Sequence, residues 1–242
     1  MRYKAVIIIL ETVNQFMKQI LKILSSLLYK IFPKLYDFLK EKHIERGLPI
    51  EFLNQLKTIN KDSLCLDLGA NVGLISSMMA RRGATVYAFE PNSIAYSLLE
   101  KKCKKFTNIK PIKKAAGIMD RKANLYLHND NNGENNIKFS EASSLKSGKP
   151  NISKENTEVI EEIDFASFIN QFNYIDIIKI DIEGYEVELL NHLLDNKSLN
   201  NVSMIFVETH YHKWKELEKP TLQLIERVKQ SDLNVTINFD WI

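Results

Sequence analysis

The run LCLDLGANVGLISSMMARRGATVYAFEP, residues 64–91, constrains this chain more than any other stretch. A short apolar segment, 63–68, contains Asp67 and leads into a loop with Gly69 and Gly73. Residues 74–82 have the composition of a helix and stop at Gly83, and a second apolar segment, 84–89, closes in Glu90-Pro91. Two strands joined through a helix in so short a span are parallel neighbours, because antiparallel neighbours need only a tight turn. The alternation continues, with a helix expected over 93–104 and a third strand over 108–113.

Further strands are expected at 124–128, 158–163, 174–180, 202–207 and 233–239, with helices at 164–172, 185–194 and 222–230. Between them, 129–158 is crowded with Asn, Ser, Lys and Gly and reads as a long loop of the kind that carries function or moves. The expected fold is α/β, a doubly wound, mostly parallel Rossmann-like sheet with an N-terminal helical extension. Residues 1–45 form the extension, and 46–242 one domain with the 129–158 loop. At 242 residues the chain can bury a core without staples, and two cysteines exclude both a disulfide scaffold and a cysteine-built zinc site. Cys65, inside an apolar run, reads as a small core hydrophobe.

The net charge of +3 is a property of the N-terminus. Residues 1–42 carry eight Lys and Arg against Glu11, Asp37 and Glu41, a balance of +5, so the other 200 residues sum to −2. The opening resembles a signal peptide only briefly, since six apolar residues run before Glu11 and no small-residue cleavage site follows. No uncharged stretch approaches the roughly 20 residues that cross a bilayer. Val13, Phe16, Met17, Ile20, Leu21, Leu24, Leu27, Leu28 and Ile31 instead fall at helical spacing, with Lys18 and Lys22 between them. Two readings stay open: a helix packed on the domain or on a second copy of the chain, and a helix lying on an anionic membrane surface through residues 1–40.

The glycine loop has a chemical reading of its own. Gly69 and Gly73 allow a tight turn and close backbone approach, and the helix that follows offers free N–H groups. Glu90, 21 residues after Gly69, ends the next strand, where a carboxylate can accept from both ribose hydroxyls. A nicotinamide site would show Gly-x-Gly-x-x-Gly facing a pyrophosphate. Here Asn71 holds the middle position, and Asp67 would repel a pyrophosphate but suit a ligand with an ammonium group. S-adenosylmethionine carries that ammonium, a sulfonium and a ribose diol.

The sequence resembles the FkbM-type S-adenosylmethionine-dependent methyltransferases over roughly residues 45–210. LDLGANVGLIS is similar to that family's first motif, with Asp67, Gly69, Ala70, Asn71 and Gly73. VYAFEPN resembles its ribose-binding segment, with Glu90, Pro91 and Asn92. EEIDFASFI at 161–169, IIKIDIEGYEVELL at 177–190 and VETH at 207–210 resemble its later segments, the second being the most diagnostic. Those residues, with Ala116 and Asp181, are the expected cofactor set. The resemblance implies O-methylation of a hydroxyl on a saccharide, glycolipid or related small molecule. Many methyltransferases of this class end in an antiparallel hairpin, whereas only one strand candidate stands near residue 242, so the closing strand is expected to be absent, shifted or supplied by another element.

Methyl transfer to an alcohol requires an in-line nucleophile, a route for its proton and exclusion of water. Asp181 and Glu183 follow the most apolar strand and are expected near the methyl group, with Glu183 alternatively stabilising the first turn of the next helix. Lys179, odd in that strand, is expected to pair with a carboxylate. His210 is the expected general base, because its ordinary pKa of about 6.5 suits proton acceptance near neutrality. Asp181, Glu183, Glu208 and His210 could also furnish ligands to a divalent ion, although no spacing motif demands one.

The 129–158 loop, the 209–220 loop and the N-terminal helices are candidates for the acceptor site, and Trp214 is expected either to stack on a sugar or to cap the core. Aromatic residues lack the basic interleaving of a nucleic-acid groove, which argues against RNA or DNA. The expected location is cytoplasmic, at the inner membrane face if the N-terminal helix binds lipid. Two other readings are a nicotinamide-dependent oxidoreductase, disfavoured by Asp67 and Asn71, and a non-catalytic adaptor that keeps the fold.

Overall fold

A computed structural model describes residues 17–21, 23–28, 30–32, 35, 39, 42, 45–128, 143–150 and 152–241. Contacts divide the chain into Met1–Leu48 and Pro49–Ile242. In the first unit, residues 17–21, 23–28 and 30–31 are helical, and Met17, Leu21, Leu24, Leu27 and Ile31 are exposed. Among the described residues no helix is long and apolar enough to cross a membrane.

The second unit opens with α1 (Ile50–Thr58), then β1 (Leu64–Leu68), α2 (Leu74–Ala80), β2 (Thr85–Phe89), α3 (Ser93–Cys103) and β3 (Ile109–Ile112). Three strands follow: β4 (Ala115–Gly117), β5 (Arg121–His128) and β6 (Ile152–Asp164). Next come α4 (Phe165–Ile169), β7 (Ile175–Ile180), α5 (Glu186–Asp195), β8 (Val202–Glu208), α6 (Glu218–Gln230) and β9 (Thr236–Trp241). The principal sheet has the order β3-β2-β1-β7-β8-β9 with every pair parallel. The fold is therefore the expected doubly wound α/β sheet. Its strand order reverses between β1 and β7, the place where such sheets bind ligands beyond their strand ends.

Both faces of the sheet are covered, which is why its strands read as apolar runs rather than alternating ones. On one face Leu66, Leu68, Ile178, Ile180, Ile205 and Val207 pack with Phe165, Leu189, Leu190 and Leu193 of α4 and α5. On the other, Phe52 of α1 meets Phe206 edge-on at 5.1 Å and Trp241 at 4.7 Å. Each fully buried side chain of this size contributes roughly 1.5–3 kcal/mol. Cys65 is buried, and burial pushes its thiol well above the ordinary range, consistent with an inert core residue.

The long loop expected over 129–158 is corrected in part. Residues 152–164 form one continuous strand, antiparallel to β5 and parallel to β4, in a second sheet of order β4-β6-β5. Ser144 bridges to Tyr126, so the segment around 143–150 is tied to that sheet. The expectation for 129–142 lies outside the described residues. Other boundaries also move: β5 begins at Arg121 rather than 124, α4 ends at Ile169 rather than 172, α6 begins at Glu218 rather than Leu222, and β9 runs Thr236–Trp241 rather than 233–239. Pro220 is compatible with the earlier helix start, because it occupies the first turn, where N–H groups lack intrahelical partners.

Candidate active site

A cavity of about 370 Å³ lies beyond the carboxyl ends of β1, β2, β7 and β8, at the reversal of strand order. Its size falls within the roughly 300–1,000 Å³ of small-molecule sites. One wall is the loop after β1 together with the end of β2. The opposite wall is the end of β7 with Glu208 of β8. Leu125 of β5 and Ser143 and Leu145 of the segment before β6 also line the cavity, so the small sheet helps to close it.

The first wall is built from backbone. Gly69 N and Ala70 N both donate to Phe89 O, at 3.1 and 2.9 Å, and Asp181 N donates to Leu68 O at 3.1 Å. The turn is thus held between β2 and β7. Gly69 has φ +73, and a Cβ there would stand 1.7 Å from Asp181 O, so only glycine fits. Asn71 also adopts a left-handed φ of 48°, and its side-chain Oδ1 is buried without a hydrogen-bond partner.

Glu90 joins this loop to the start of α3. Its Oε2 accepts from Asn71 N and its Oε1 from Asn92 N, both at 2.8 Å. Each oxygen retains a second lone pair, and Glu90 lines the cavity. Burial pushes its carboxyl up to about 7, against the pull of the two backbone N–H groups and Lys179. Asn92 does not line the cavity; it caps α3 by accepting from Ile94 N and Ala95 N.

The opposite wall is built from charge. Lys179 and Asp67 are register partners across β7 and β1, and Lys179 Nζ lies 3.6 Å from Asp67 Oδ1, 3.1 Å from Asp181 Oδ2 and 3.1 Å from Gly69 O. Burial disfavours the ammonium, but Asp181 and Asp67 outweigh it and hold the group charged far above neutrality. Lys179 thus has the expected carboxylate partners. Asp67 is corrected: it is fully buried behind the loop, its Oδ2 accepts from Ser76 Oγ, and it does not line the cavity. The acid facing the cavity is Asp181, which together with Glu183 and Glu208 would still repel a pyrophosphate.

His210 is corrected as a general base. It is buried behind the acid wall, with Nε2 3.2 Å from Glu183 Oε2 and Nδ1 3.1 Å from Glu186 Oε1. Burial opposes its charge, yet Glu183 and Glu186 raise its pKa to about 10, so near neutrality it has no free site for a proton. Glu208 has the opposite poise: burial and then Asp181 raise it above the usual carboxylate range, and Lys213 at 3.1 Å only partly offsets them. Glu183 is held below that range, where His210 and Lys149 outweigh burial.

Of the expected residues, Gly69, Ala70, Asn71, Glu90, Pro91, Ala116, Lys179, Asp181 and Glu183 meet around one cavity. Asp67, Gly73, Asn92 and His210 stand behind it and support it. The cap role weighed for Glu183 falls to Glu186, which accepts from Ile182 N at 3.0 Å and Gly184 N at 3.1 Å. An acid opening a helix directly after Gly-Tyr was the available signal for it. Lys149, bound to Glu183, and Lys213 were also missed, because surface-type lysines in loops carry no sequence signature. Trp214 caps the protein interior rather than lining the cavity: it is buried, and its ring blocks any Cβ at Gly184.

Precorrin-8W decarboxylase of Methanobacterium thermoautotrophicum is a solved structure with 16% identity and a TM-score of 0.33; the match covers 60% of this chain and 54% of that one. The chain therefore spans about half the length of that protein. No curated protein matches the sequence. Residues 67–231, well over half of the chain, match the Methyltransferase FkbM domain, and the chain therefore belongs to the FkbM methyltransferase family.

Proposed function

We propose that the protein is an O-methyltransferase that uses S-adenosylmethionine and acts on a hydroxyl of a saccharide, glycolipid or related small molecule. The observation that carries the donor is Glu90. Two oxygens fixed by backbone N–H groups each keep a lone pair at a cavity wall, which is what a ribose diol requires. Asn71 Oδ1, buried and unpartnered, would accept from the donor's ammonium group. Phe89, Ala115, Ala116 and Leu125 supply apolar surface for the base. S-adenosylmethionine supplies a methyl group on a positively charged sulfur, and Asp181, Glu183 and Glu208 make the facing wall favourable to that charge.

In this reading Asp181 orients the acceptor hydroxyl, being anchored by Lys179 through one oxygen and leaving the other free. Glu208 is the better proton acceptor, because its affinity for a proton is raised where that of His210 is already satisfied. Ser143 and Lys213 at the cavity rim provide hydrogen-bonding groups suited to a sugar.

S-adenosylhomocysteine should raise the melting temperature and NAD should not. A shift with NAD alone would support the oxidoreductase, and no shift with either the adaptor. Asp181→Asn should abolish turnover while keeping the S-adenosylhomocysteine shift; normal turnover would refute its role.

The exposed row of Met17, Leu21, Leu24, Leu27 and Ile31, beside a basic N-terminal excess, supports membrane attachment. The full chain should sediment with vesicles containing phosphatidylserine, and a chain lacking residues 1–40 should not. Failure of the full chain to sediment defeats the attachment, and self-association of the full chain alone would favour pairing between copies.

A further inference from the structure

We propose that Asp181, Glu183 and His210, with Glu208 beside them, form a site for one divalent cation of the magnesium–manganese class, open toward the cavity. One ligand atom from each of Asp181, Glu183 and His210 lies within 4.8 Å of the others. His210 Nε2 is the centre of the group, 3.2 Å from Glu183 Oε2, 3.7 Å from Glu208 Oε1 and 3.8 Å from Asp181 Oδ1. Ligands at roughly 2.1 Å in octahedral geometry stand roughly 3 Å apart when adjacent. Small side-chain shifts convert the observed spacing to that one.

A cluster of acids alone would not make a site, but the histidine is a second and independent observation. Its side chain is 3% exposed, and although Glu183 and Glu186 pair with its charge at 3.2 and 3.1 Å, neither ring nitrogen meets a well-aligned hydrogen-bond acceptor. Asp181 Oδ1 is likewise buried and unpartnered. Buried polar atoms nearly always find partners, so two such atoms 3.8 Å apart call for an explanation. A cation bound by Nε2 and Oδ1 supplies it.

The surroundings match a metal ligand better than an acid–base group. Glu186 stands 3.1 Å from Nδ1 on the far side of the ring, and is itself fixed by Ile182 N and Gly184 N. A carboxylate in that position is placed to accept from Nδ1–H, and the arriving cation displaces the Nε2 proton and takes its lone pair. Lys179 occupies only Asp181 Oδ2, which leaves Oδ1 for the ion. Three carboxylates with one imidazole form an oxygen-rich set, which suits magnesium or manganese rather than thiophilic ions. Asp181, Glu183 and Glu208 line the cavity, so the remaining coordination positions face it. Their use in holding the acceptor oxygen rests on the methyl-transfer reading; the ion site itself does not.

The test is a titration of the chelator-treated full chain with Mn²⁺, read by the electron paramagnetic resonance of free and bound ion, with Mg²⁺ as competitor. One Mn²⁺ per chain, displaced by Mg²⁺, is expected. Glu183→Gln and His210→Gln should each weaken it at least about tenfold, and Glu186→Gln should weaken it about 10–100-fold through ligand orientation. Pulsed resonance of the unaltered chain should show nitrogen coupling from one imidazole, a readout that needs no variant to fold. Absence of a bound ion at millimolar Mn²⁺, or a bound ion without nitrogen coupling, overturns the proposal. S-adenosylhomocysteine binding is scored separately, so failure of the ion site and failure of the donor assignment are distinguishable.

Discussion

The two walls of the cavity solve the same problem by different means. The β1–β2 wall binds through shape and backbone: a left-handed glycine, a left-handed asparagine, and one glutamate whose oxygens are set by two N–H groups. The β7–β8 wall works through charge: Asp181, Glu183 and Glu208 are balanced by Lys179, His210, Lys149 and Lys213. A backbone-built wall keeps its geometry when the ligand leaves. A charge-built wall keeps its geometry only while its partners remain ionised or are replaced by another cation. The first suits a donor common to many reactions, and the second an acceptor that must be held and deprotonated.

Gly69→Ala should break the contrast altogether, because Gly69 is where the walls touch. A left-handed conformation alone costs a residue with Cβ about 1–2 kcal/mol, and the new atom would strike Asp181 O. We expect melting to fall by about 5 °C or more, with S-adenosylhomocysteine and Mn²⁺ binding lost together. Calorimetry and the two titrations check this.

Glu90→Gln should separate the walls. It removes charge-assisted acceptance of the diol, worth about 1.5–3 kcal/mol, so S-adenosylhomocysteine affinity should fall about 10–100-fold while Mn²⁺ binding stays unchanged. The unaltered chain should show the same effect through pH. With a carboxyl at about 7, protons compete with the diol, so affinity should decline as pH is lowered through 7 and level off above about 8. Isothermal titration from pH 6 to 8.5 should give that slope for the native chain and none for Glu90→Gln. Smallest is Lys213→Ala. Lys213 is mostly exposed, so releasing Glu208 from it should tighten Mn²⁺ by no more than about threefold.

The legibility of the molecule follows the same division. β1, β2 and β7 are covered on both faces and therefore spell themselves as LCLDL, TVYAF and IDIIKI. The glycine loop and Glu90 are visible because strand ends in such sheets hold ligands. The half of β6 over 158–163 was legible, and the half over 152–157 was hidden for a physical reason. That half reads ISKENT, a polar string in which Ile152 is buried and Ser153 Oγ accepts from Glu155 N and Asn156 N. A strand segment with so few apolar positions looks like a loop. Tertiary contacts decided the site in the same way. Asp67 and His210 have the right identity at the right strand ends, but Ser76, Lys179, Glu183 and Glu186 determine what each is free to do.

Lys179 carries a consequence for how such a chain can diverge. A single ammonium neutralises acids at two neighbouring strand tips and also grips the carbonyl of Gly69. Losing the lysine alone would leave Asp67 and Asp181 repelling each other in a dry interior, and losing both acids alone would leave a stranded cation. Positions 67, 179 and 181 are therefore bound to a shared fate: a descendant with an apolar residue at 179 should carry uncharged residues at the other two, reached through an unstable intermediate sequence.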